Sequence, residues 1–546
     1  MEYNADSPSI RLVAVLEIGS TGIRLLVAEI TGKGEWRTVD SAVKPIVLGR
    51  DVFTSGQVSH SSLLECLVVL RNFQELLKGW GVSGDDVHLI ATSALRAARN
   101  RDMFADRVYQ ETGYRLTIVE GIEENRLMYL AVRFALKQIK GSSGGTPTDG
   151  TSTDGTSANA PSGDKNETNN LFWRGNSIII DIGGGSTEIM LLRQGRMVAA
   201  HSVRLGSILM DQQSLSARGS EWSRERYLTE GIKNTLTFLK AEMDLSQIKT
   251  FVVTGSDTRI AASLIGSEYN KNSSVIDREK FLSFVKKIQY YTVEECVQKL
   301  HISYGDAEGF VPGLLIYKGF LEQTKATQVV ALGVSLREGL LIDLAMGFDP
   351  ELQEEFFTQV IASAINLGRK YHFDEAHGRH VAALSMILFD ALVREHGLNR
   401  HDRLLLETAA LLHDIGMFIR GSSHQKHSQY IVANSEIFGI HREELEIIAN
   451  VVRYHRGDQP SPGDIAFIAL QREERILALK LVSILRVADA LDRGHSQRIQ
   501  NICIEHKGES IVIHANDNVD KNLERASLEE KANMFQDVFG YKVALI

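Results

Sequence analysis

One segment of the chain, residues 177–192 with the sequence SIIIDIGGGSTEIMLL, limits the possible folds more than any other. Its consecutive isoleucines predict a buried strand that ends at Asp181. A glycine turn then leads to Glu188 and a second apolar run. Glycine lets the backbone turn tightly enough to direct several N–H groups at one anion, and two flanking carboxylates suit a divalent cation that bridges phosphate oxygens. The candidate phosphate-binding residues here are Gly183, Gly184, Gly185, Ser186 and Thr187.

The same order of features occurs near the N-terminus, which weakens the alternative that the glycines form only a hairpin turn. Residues 12–30, LVAVLEIGSTGIRLLVAEI, place an apolar strand, Glu17, a glycine turn and another apolar run in that order. Two such units about 160 residues apart predict an internal duplication with one phosphate loop in each half. The candidates in the first loop are Gly19, Ser20, Thr21 and Gly22.

Composition limits the class of protein. A chain of 546 residues, 43% hydrophobic and 24% charged, predicts a globular protein of several domains. Its three cysteines are far apart in sequence, which argues against a disulfide framework or a cysteine zinc site. We expect a cytoplasmic protein with no membrane partner, because the sequence shows neither a signal peptide nor a membrane-spanning apolar run. The net charge of −9 argues against nucleic-acid binding.

Changes of pattern along the chain predict the domain boundaries. Mixed strands and helices predict a first domain over 1–140 and a second over 171–345. Between them, residues 141–170 repeat TDGTS and contain almost no large apolar side chain, which predicts a disordered insertion. Helical periodicity predicts an all-helical domain over 350–505. Alternating residues followed by a helix predict a small α+β segment over 506–546.

Three further segments carry a resemblance to a known family. They are ATSALRAARN at 91–100, VEGIEENRLMYLAV at 119–132 and VSLREGLLI at 334–342. Together with the two glycine turns, they resemble the exopolyphosphatase and guanosine pentaphosphate phosphatase family of the actin-like ATPase superfamily. The resemblance implies an α/β fold of two duplicated actin-like, ribonuclease H-like domains, followed by an all-α HD-type domain and the small C-terminal segment.

The resemblance also implies roles for single residues. Glu124 matches the catalytic base, and the adjacent Glu123 is the runner-up; the alternative is that both only stabilise the start of a helix. Arg96 would clamp a phosphate, whereas Arg337 is expected to shape a hinge. The ligands implied for Mg²⁺ are Asp181, Glu188 and Glu17. The chain departs from the family pattern at Glu17, Thr21, Asn125 and TGSDT over 254–258.

A histidine-rich set in the helical region predicts a second site. HGRH is followed by an HD dipeptide at the end of an apolar helix, then by further histidines and an aspartate. This order resembles the HD phosphohydrolase superfamily, and its ligands suit Mn²⁺, Fe or Zn²⁺. The alternative is that this domain serves only as architecture and as the wall of a polymer channel. The candidate ligands are His377, His380, His413, Asp414, His427, His455 and Asp489, with His424 beside His427 in HQKHSQY.

We therefore predict a Mg²⁺-dependent exopolyphosphatase that removes terminal phosphate from inorganic polyphosphate. Guanosine pentaphosphate is the alternative substrate, because its terminal bond is chemically the same. Two other hypotheses stay open: a metal-dependent phosphohydrolase in the helical domain, and a sensor that binds polyphosphate or nucleotide without turnover. The resemblance also implies a homodimer.

Overall fold

The computed structural model describes residues 11–31, 35–141, 172, 174–216, 224–270, 272–346, 350–515 and 520–546. Apart from its first residue, the insertion predicted over 141–170 lies outside the described residues. The chain divides into two compact units, Met1–Glu354 and Glu355–Ile546.

The first unit contains two β-sheets. The first sheet has the order β3-β2-β1-β4-β5, and the second has the order β10-β11-β12-β9-β6-β7-β8. The strands of the first sheet are β1 (Arg11–Ile18), β2 (Gly22–Ile30), β3 (Trp36–Pro45), β4 (Val87–Ala91) and β5 (Leu116–Ile118). Those of the second are β6 (Asn176–Ile182), β7 (Thr187–Arg193), β8 (Arg196–Val203), β9 (Ile248–Thr254), β10 (Ser267–Asn270), β11 (Ser273–Asp277) and β12 (Gln328–Leu332).

The two sheets repeat one topology. In the first, β1 runs antiparallel to β2 and parallel to β4. In the second, β6 runs antiparallel to β7 and parallel to β9. Each sheet continues from the first hairpin to a third antiparallel strand, β3 or β8. The mixed α/β fold and the internal duplication are confirmed, and both predicted glycine turns are the turns of equivalent hairpins.

Helices cover the strands of the first unit. Side-chain caps begin some of them, as at Ser59 and Thr292, whose side chains accept from backbone N–H groups of the first turn. The helices are Leu48–Ser55, His60–Trp80, Ser93–Ala97, Arg101–Thr112, Gly121–Gly141, Ser207–Ser216, Arg224–Leu239, Ser256–Ile265, Arg278–Ile288, Val293–Leu300, Tyr304–Glu322 and Leu336–Met346, with 3₁₀ turns at Gly84–Asp86 and Leu245–Gln247.

Gly339, in the VSLREGLLI segment, lies where two helices pack closely together. Its helix, Leu336–Met346, packs on the Gly121–Gly141 helix. A Cβ at Gly339 would lie 2.1 Å from the carbonyl oxygen of Leu127. The two helices therefore approach too closely for any side chain at this position, and the contact fixes the helix that carries Glu124.

The second unit is mainly helical, as predicted. Its helices are Pro350–Lys370, Glu375–Ala391, Val393–His396, Arg400–Leu412, His424–Ala433, Arg442–Tyr454, Ile465–Ile468, Arg472–Leu491, Asn522–Lys531 and Asn533–Phe539, with a 3₁₀ turn at Ile415–Phe418. A small sheet of order β13-β14-β15 is formed by β13 (Cys503–Lys507), β14 (Ser510–His514) and β15 (Lys542–Leu545).

The C-terminal segment packs on the helix Arg472–Leu491. The Arg486 guanidinium donates to the carbonyl of Lys531, and the Ser483 hydroxyl donates to the carbonyl of Met534. The single final helix predicted from sequence is wrong, because Ala532 separates two helices. Within the described ranges, no helix combines the length and apolarity that crossing a bilayer requires.

Candidate active site

The β1–β2 and β6–β7 turns line one cavity of about 150 Å³ in the first unit. Residues from both repeats therefore face the same space, as the duplicated sequence pattern predicts. The predicted site residues that line it are Glu17, Gly19, Ser20, Thr21, Glu124, Asp181, Gly183, Gly184, Ser186 and Glu188.

The two turns are in direct contact. A Cβ at Gly184 would lie 2.6 Å from the Cβ of Ser20, which excludes a side chain at Gly184. The N–H groups of Gly19 and Gly183 donate within their own turns, to the carbonyls of Gly22 and Ser186 at 3.0 and 2.9 Å. These two amides are therefore unavailable to an anion, which leaves the later amides of each turn. The Ser20 hydroxyl is buried and lacks a partner in the described part of the chain, so it is placed to donate to a ligand.

Asp181 and Glu188 belong to a row of polar side chains that crosses four strands. They are paired across β6 and β7, and the row continues to Ser202 on β8 and Thr254 on β9. Directly paired residues project from the same face of a sheet. The Ser202 hydroxyl donates to Glu188 Oε1 at 2.9 Å, and the Thr254 hydroxyl donates to Asp181 Oδ1 at 2.6 Å. Asn125 donates to Glu188 Oε2 at 3.2 Å.

Burial makes these carboxylates costly to ionise. Desolvation raises the pKa of Asp181. Desolvation, together with the nearby charge of Glu124, raises the pKa of Glu188 well above its usual range. A divalent cation bound by Asp181 and Glu188 would replace the water that burial removes and would offset the repulsion between Glu188 and Glu124. This pair of carboxylates therefore fits the Mg²⁺ that the sequence predicts.

Glu124 lies in the first turn of the Gly121–Gly141 helix and faces the cavity. Burial raises its pKa, although the Arg96 guanidinium opposes that effect. Arg96 Nη1 donates to Glu124 Oε1 and to the carbonyl of Val119, both at 2.6 Å. Arg96 does not line the cavity, so its prediction as a phosphate clamp is not supported; the guanidinium orients Glu124 instead.

Glu123 points away from the cavity. Arg126 Nε and Nη2 donate to its two carboxylate oxygens at 2.6 and 2.7 Å, and the same guanidinium binds Asp343. The partly buried contact between Arg126 and Asp343 joins the Gly121–Gly141 and Leu336–Met346 helices. The alternative choice of Glu123 as the base is therefore contradicted by its position.

Besides Arg96, three predicted phosphate-binding residues do not line the cavity, namely Gly22, Gly185 and Thr187. A Cβ at Gly22 would meet the backbone of β3, 2.7 Å from the Lys44 carbonyl oxygen, and one at Gly185 would lie 2.4 Å from the Phe53 ring. The Thr187 hydroxyl donates to the carbonyl of Leu205. These residues shape the turns by close packing and hydrogen bonding rather than by facing a ligand.

Glu17 has arginine partners. Its carboxylate oxygens lie 3.2 Å from Arg337 Nε and 3.9 Å from Arg24 Nη1, and Arg24 also donates to the Thr21 hydroxyl at 3.0 Å. This pairing already compensates the Glu17 charge and does not support its prediction as a metal ligand. Arg337 lines the cavity, whereas the sequence led us to expect a role in shaping a hinge. The residues next to it in sequence do not indicate its position in the cavity.

The TGSDT segment, a departure from the family pattern, also reaches the cavity. Gly255, Ser256 and Asp257 line it, and Gly255 adopts a φ of +104° that favours glycine. Burial, with repulsion from Asp306 and Asp181, raises the pKa of Asp257 to about 7. Below about pH 7 the carboxyl of Asp257 is therefore mainly protonated and can act as a hydrogen-bond donor in the cavity.

Comparison with known proteins identifies the family. The sequence model described as the Ppx/GppA phosphatase family matches residues 26–143 and 168–347, and that of Ppx/GppA phosphatase, domain III, matches 361–532. The chain belongs to the Ppx/GppA phosphatase family. It is a hydrolase of phosphoanhydride bonds.

Relatives of this Ppx/GppA phosphatase match most of its length. A guanosine-5'-triphosphate,3'-diphosphate pyrophosphatase of Aliivibrio fischeri is 22% identical over 86% of this chain and 86% of its own. The protein of the same name from Photobacterium profundum is 23% identical over 91% and 90%. A solved exopolyphosphatase from Cytophaga hutchinsonii covers 62% of this chain and 98% of its own, with 17% identity and a TM-score of 0.49. The Ppx/GppA family member of Aquifex aeolicus gives 20% identity, 62% and 99% coverage, and a TM-score of 0.46.

The domain III region of this Ppx/GppA phosphatase contains a cluster of histidines and aspartates. His377, His413 and Asp489 bring three ligand atoms together: His377 Nε2 lies 3.2 Å from His413 Nε2, and Asp489 Oδ1 lies 3.7 and 3.8 Å from the two nitrogens. Ligand atoms about 2.1 Å from a tetrahedral ion lie about 3.4 Å apart, so the spacing fits one metal ion.

A second group of ligand atoms surrounds Asp414. Its Oδ1 lies 2.9 Å from His424 Nε2 and 3.4 Å from His455 Nε2, and these two nitrogens are 3.3 Å apart. Asp414 Oδ2 lies 3.9 Å from His377 Nε2 and so points toward the first group. Asp414 is therefore positioned between two potential metal sites.

In these histidines Nε2 faces the other ligand atoms, and the partner of the second ring nitrogen, Nδ1, indicates which nitrogen carries the proton. The Nδ1 atoms of His413, His424 and His455 lie 2.7, 2.9 and 2.6 Å from backbone carbonyls, so each Nδ1 carries the proton. His377 Nδ1 lies 2.8 Å from Asp492 Oδ2. The Nε2 atoms then face one another in two close pairs. In each pair, a nearby aspartate outweighs burial and raises the pKa of one histidine, Asp492 for His377 and Asp414 for His424. Burial lowers the pKa of His413 to about 4, so a proton is a poor substitute for a metal ion there.

Two of the predicted ligands, His380 and His427, lie outside these groups, and two residues that the sequence did not indicate, His495 and Lys531, lie beside them. His427 contacts Gly416 through its Cβ region instead of joining the cluster, and His424 takes its place. His380 likewise belongs to neither group, whereas the unpredicted His495 places its Nε2 3.9 Å from Asp414 Oδ2. The Lys531 ammonium binds Asp489 Oδ2, which leaves only Oδ1 facing the histidines.

Proposed function

We propose that the cavity of the first unit hydrolyses the terminal phosphoanhydride bond of inorganic polyphosphate. The observation that supports this proposal most directly is the contact between Ser20 and Gly184 beside the carboxylate of Glu124. Two repeats thereby supply donors for one terminal phosphoryl group, and a base faces the same space. A phosphate-release assay with long-chain polyphosphate and Mg²⁺ tests the proposal.

In the proposed reaction, Glu124 accepts a proton from the attacking water. Arg96 holds the carboxylate, and burial raises its pKa toward the range of an effective base. The later amides of the two turns, the Ser20 hydroxyl and Arg337 face the charge on the transferred phosphoryl group. The products are orthophosphate and a chain one phosphate shorter.

We further propose Asp181 and Glu188 as the residues that would hold Mg²⁺. Mg²⁺ usually keeps several waters and uses one or two carboxylates together with substrate phosphates. The pair on β6 and β7 meets that requirement without Glu17. The bound cation would neutralise charge on phosphate oxygens near the site of attack.

Mg²⁺ is expected to raise the Tm of the full chain more at about pH 8 than at about pH 5. The raised pKa values of Asp181 and Glu188 mean that their contribution to stability, present at low pH, is lost as pH rises through those values. Protons and Mg²⁺ compete for the same oxygens. Thermal unfolding with and without Mg²⁺ measures the difference, and Asp181→Asn should reduce it. An equal shift at both pH values contradicts this cation site.

Guanosine pentaphosphate is a second proposed substrate. The relatives that match across most of the chain are named guanosine-5'-triphosphate,3'-diphosphate pyrophosphatases. Its terminal phosphoryl group could occupy the same donors, and the products would be orthophosphate and guanosine tetraphosphate. Comparing kcat/KM for the two substrates in one preparation shows which the enzyme prefers.

We also propose that domain III is an HD-type domain with its own metal-dependent phosphohydrolase activity on a phosphomonoester or nucleotide. The specific support is the opposed Nε2 pairs, His377 with His413 and His424 with His455. Two metal ions about 3.5–4 Å apart can bind both the attacking and the leaving oxygen of a phosphoryl group. Asp414 would offer one carboxylate oxygen to each group, since Oδ1 lies 2.9 Å from His424 Nε2 and Oδ2 lies 3.9 Å from His377 Nε2.

His413→Ala is expected to remove most of the Mn, Fe or Zn that copurifies with the full chain, because it removes one ligand of the first group and a neighbour of the second. Elemental analysis measures the metal content per chain. His401→Ala is the matched control, since His401 belongs to the other HD dipeptide and contacts Glu444. Equal metal content in the wild type and both variants would count against a domain III metal site.

A further inference from the structure

The ammonium group of Lys531 is a positive charge beside the proposed metal site of domain III. Lys531 is the last residue of the helix Asn522–Lys531, and its side chain reaches Asp489 on the helix Arg472–Leu491. The two residues are 5% and 6% exposed, so little water screens their charges. Lys531 Nζ binds Asp489 Oδ2, whereas Oδ1 lies 3.7 and 3.8 Å from the Nε2 atoms of His377 and His413. One carboxylate therefore faces a lysine with one oxygen and the proposed metal position with the other.

The backbone holds Lys531 in this position by contacts that do not involve Asp489. The Arg486 guanidinium donates to the carbonyl of Lys531 at 3.0 Å, and the Ser483 hydroxyl donates to the carbonyl of Met534 at 3.4 Å. Both donors lie on the helix that carries Asp489, so these contacts anchor the lysine beside the carboxylate. Among the described residues, Lys531 is the only lysine or arginine ion-paired with Asp489.

The charges in the first group of ligand atoms decide how Lys531 affects a metal ion. Histidine binds metal in its uncharged form, so the negative charge comes from Asp489 and from Asp414, whose Oδ2 points toward this group. Lys531 cancels the charge of one of these two carboxylates. A cation bound at Asp489 Oδ1 would also lie within a few ångströms of the ammonium group, and the buried surroundings screen that repulsion poorly. The lysine should therefore weaken metal binding, although it fixes the orientation of a ligand.

We propose that Lys531 and the metal ion compete for Asp489, so that the lysine is a resident cation of the domain III site. Without metal, the ammonium group balances the charge of Asp489 and keeps the carboxylate beside the histidines. With metal bound, Lys531 restricts Asp489 to one oxygen and leaves a coordination position for water or substrate. The C-terminal segment, through Lys531, thus sets how tightly the site holds metal. This inference rests on the metal site proposed for domain III and adds to it a residue that controls its affinity.

Lys531→Met tests the competition, because methionine has a side chain of similar length without the charge. The Zn²⁺ dissociation constant of the full metal-free chain, measured by competition with a chelating dye, should fall at least about 10-fold, the lower end of outer-shell effects on metal affinity. Damage to the fold alone would weaken binding instead. His413→Ala, which lacks one ligand of the first group, provides the background to subtract. Lys531→Gln can still donate a hydrogen bond but carries no charge, so it should also bind Zn²⁺ more tightly and decides the question if the methionine variant does not fold.

Lys521→Met is the matched control. Lys521 also lies in the C-terminal segment and is 7% exposed, but its ammonium group donates to the carbonyls of Ala515 and Ile546, both at 3.1 Å. Its Zn²⁺ dissociation constant should stay within about twofold of the wild type even if its Tm falls. Unchanged or weaker Zn²⁺ binding in the folded Lys531 variants overturns the competition and leaves the domain III metal site standing. A wild type that binds no more Zn²⁺ than His413→Ala overturns both.

Discussion

Glu124→Gln should lower kcat for phosphate release by about 10²–10⁴-fold, the usual range for loss of a general base. Glutamine keeps the size of the side chain and can still accept the hydrogen bond from Arg96, but it cannot take a proton from water. The wild-type rate should fall as pH drops through the raised pKa of Glu124, because only the ionised form is a base. The variant should lose this limb of the pH profile.

Glu123→Gln is the matched control for Glu124→Gln. The neighbouring carboxylate is bound to Arg126 and does not line the cavity, so the variant should keep its pH profile even if its Tm falls. Steady-state kinetics between about pH 5 and pH 9, with thermal unfolding of each variant, provide the measurement. Retained activity in a folded Glu124→Gln protein would remove Glu124 from the mechanism.

Gly184→Ala should reduce kcat/KM by about 10²-fold or more, because the added methyl group would lie 2.6 Å from Ser20 and push the two turns apart. A displacement of about 1 Å between groups that hold a transition state has an effect of this size. The same crowding should destabilise the fold by about 1–3 kcal/mol.

Gly183→Ala offers a control in the same turn. A Cβ there would meet only the Ser186 carbonyl oxygen at an ordinary 3.5 Å. Its activity and Tm should therefore stay near those of the wild type. Similar losses in both variants would show that the turn needs glycine for its backbone conformation alone, and not because it touches the other repeat.

Local pattern was enough to predict the hairpins, because each hairpin is encoded within one short segment. The apolar runs around Asp181 predicted β6 and β7, and the repeated order around Glu17 predicted the equivalent β1 and β2. The face-to-face position of the two turns followed from the duplication. The strand order of each sheet and the third strand of the C-terminal sheet depend on distant pairings, which local periodicity does not contain.

Site residues were harder to predict where a long-range contact decides the direction of a side chain. His424 and His427 are one helical turn apart, and sequence spacing alone does not say which of them faces Asp414. The close approach of Gly416 to the helix decides it, since His427 lies against that glycine. The pairing of Lys531 with Asp489 likewise joins residues from separate helices.

Asn125 has a mechanical consequence. It follows Glu124 on the same helix and reaches across to Glu188, while Gly121 lies against Ser202. The proposed base and the proposed cation ligand therefore lie on opposite sides of one amide side chain: Arg96 of the first repeat holds Glu124, and Asn125 ties the start of the same helix to Glu188 of the second repeat. The distance between base and cation is thus set by contacts that join the two repeats, and not by either sheet alone.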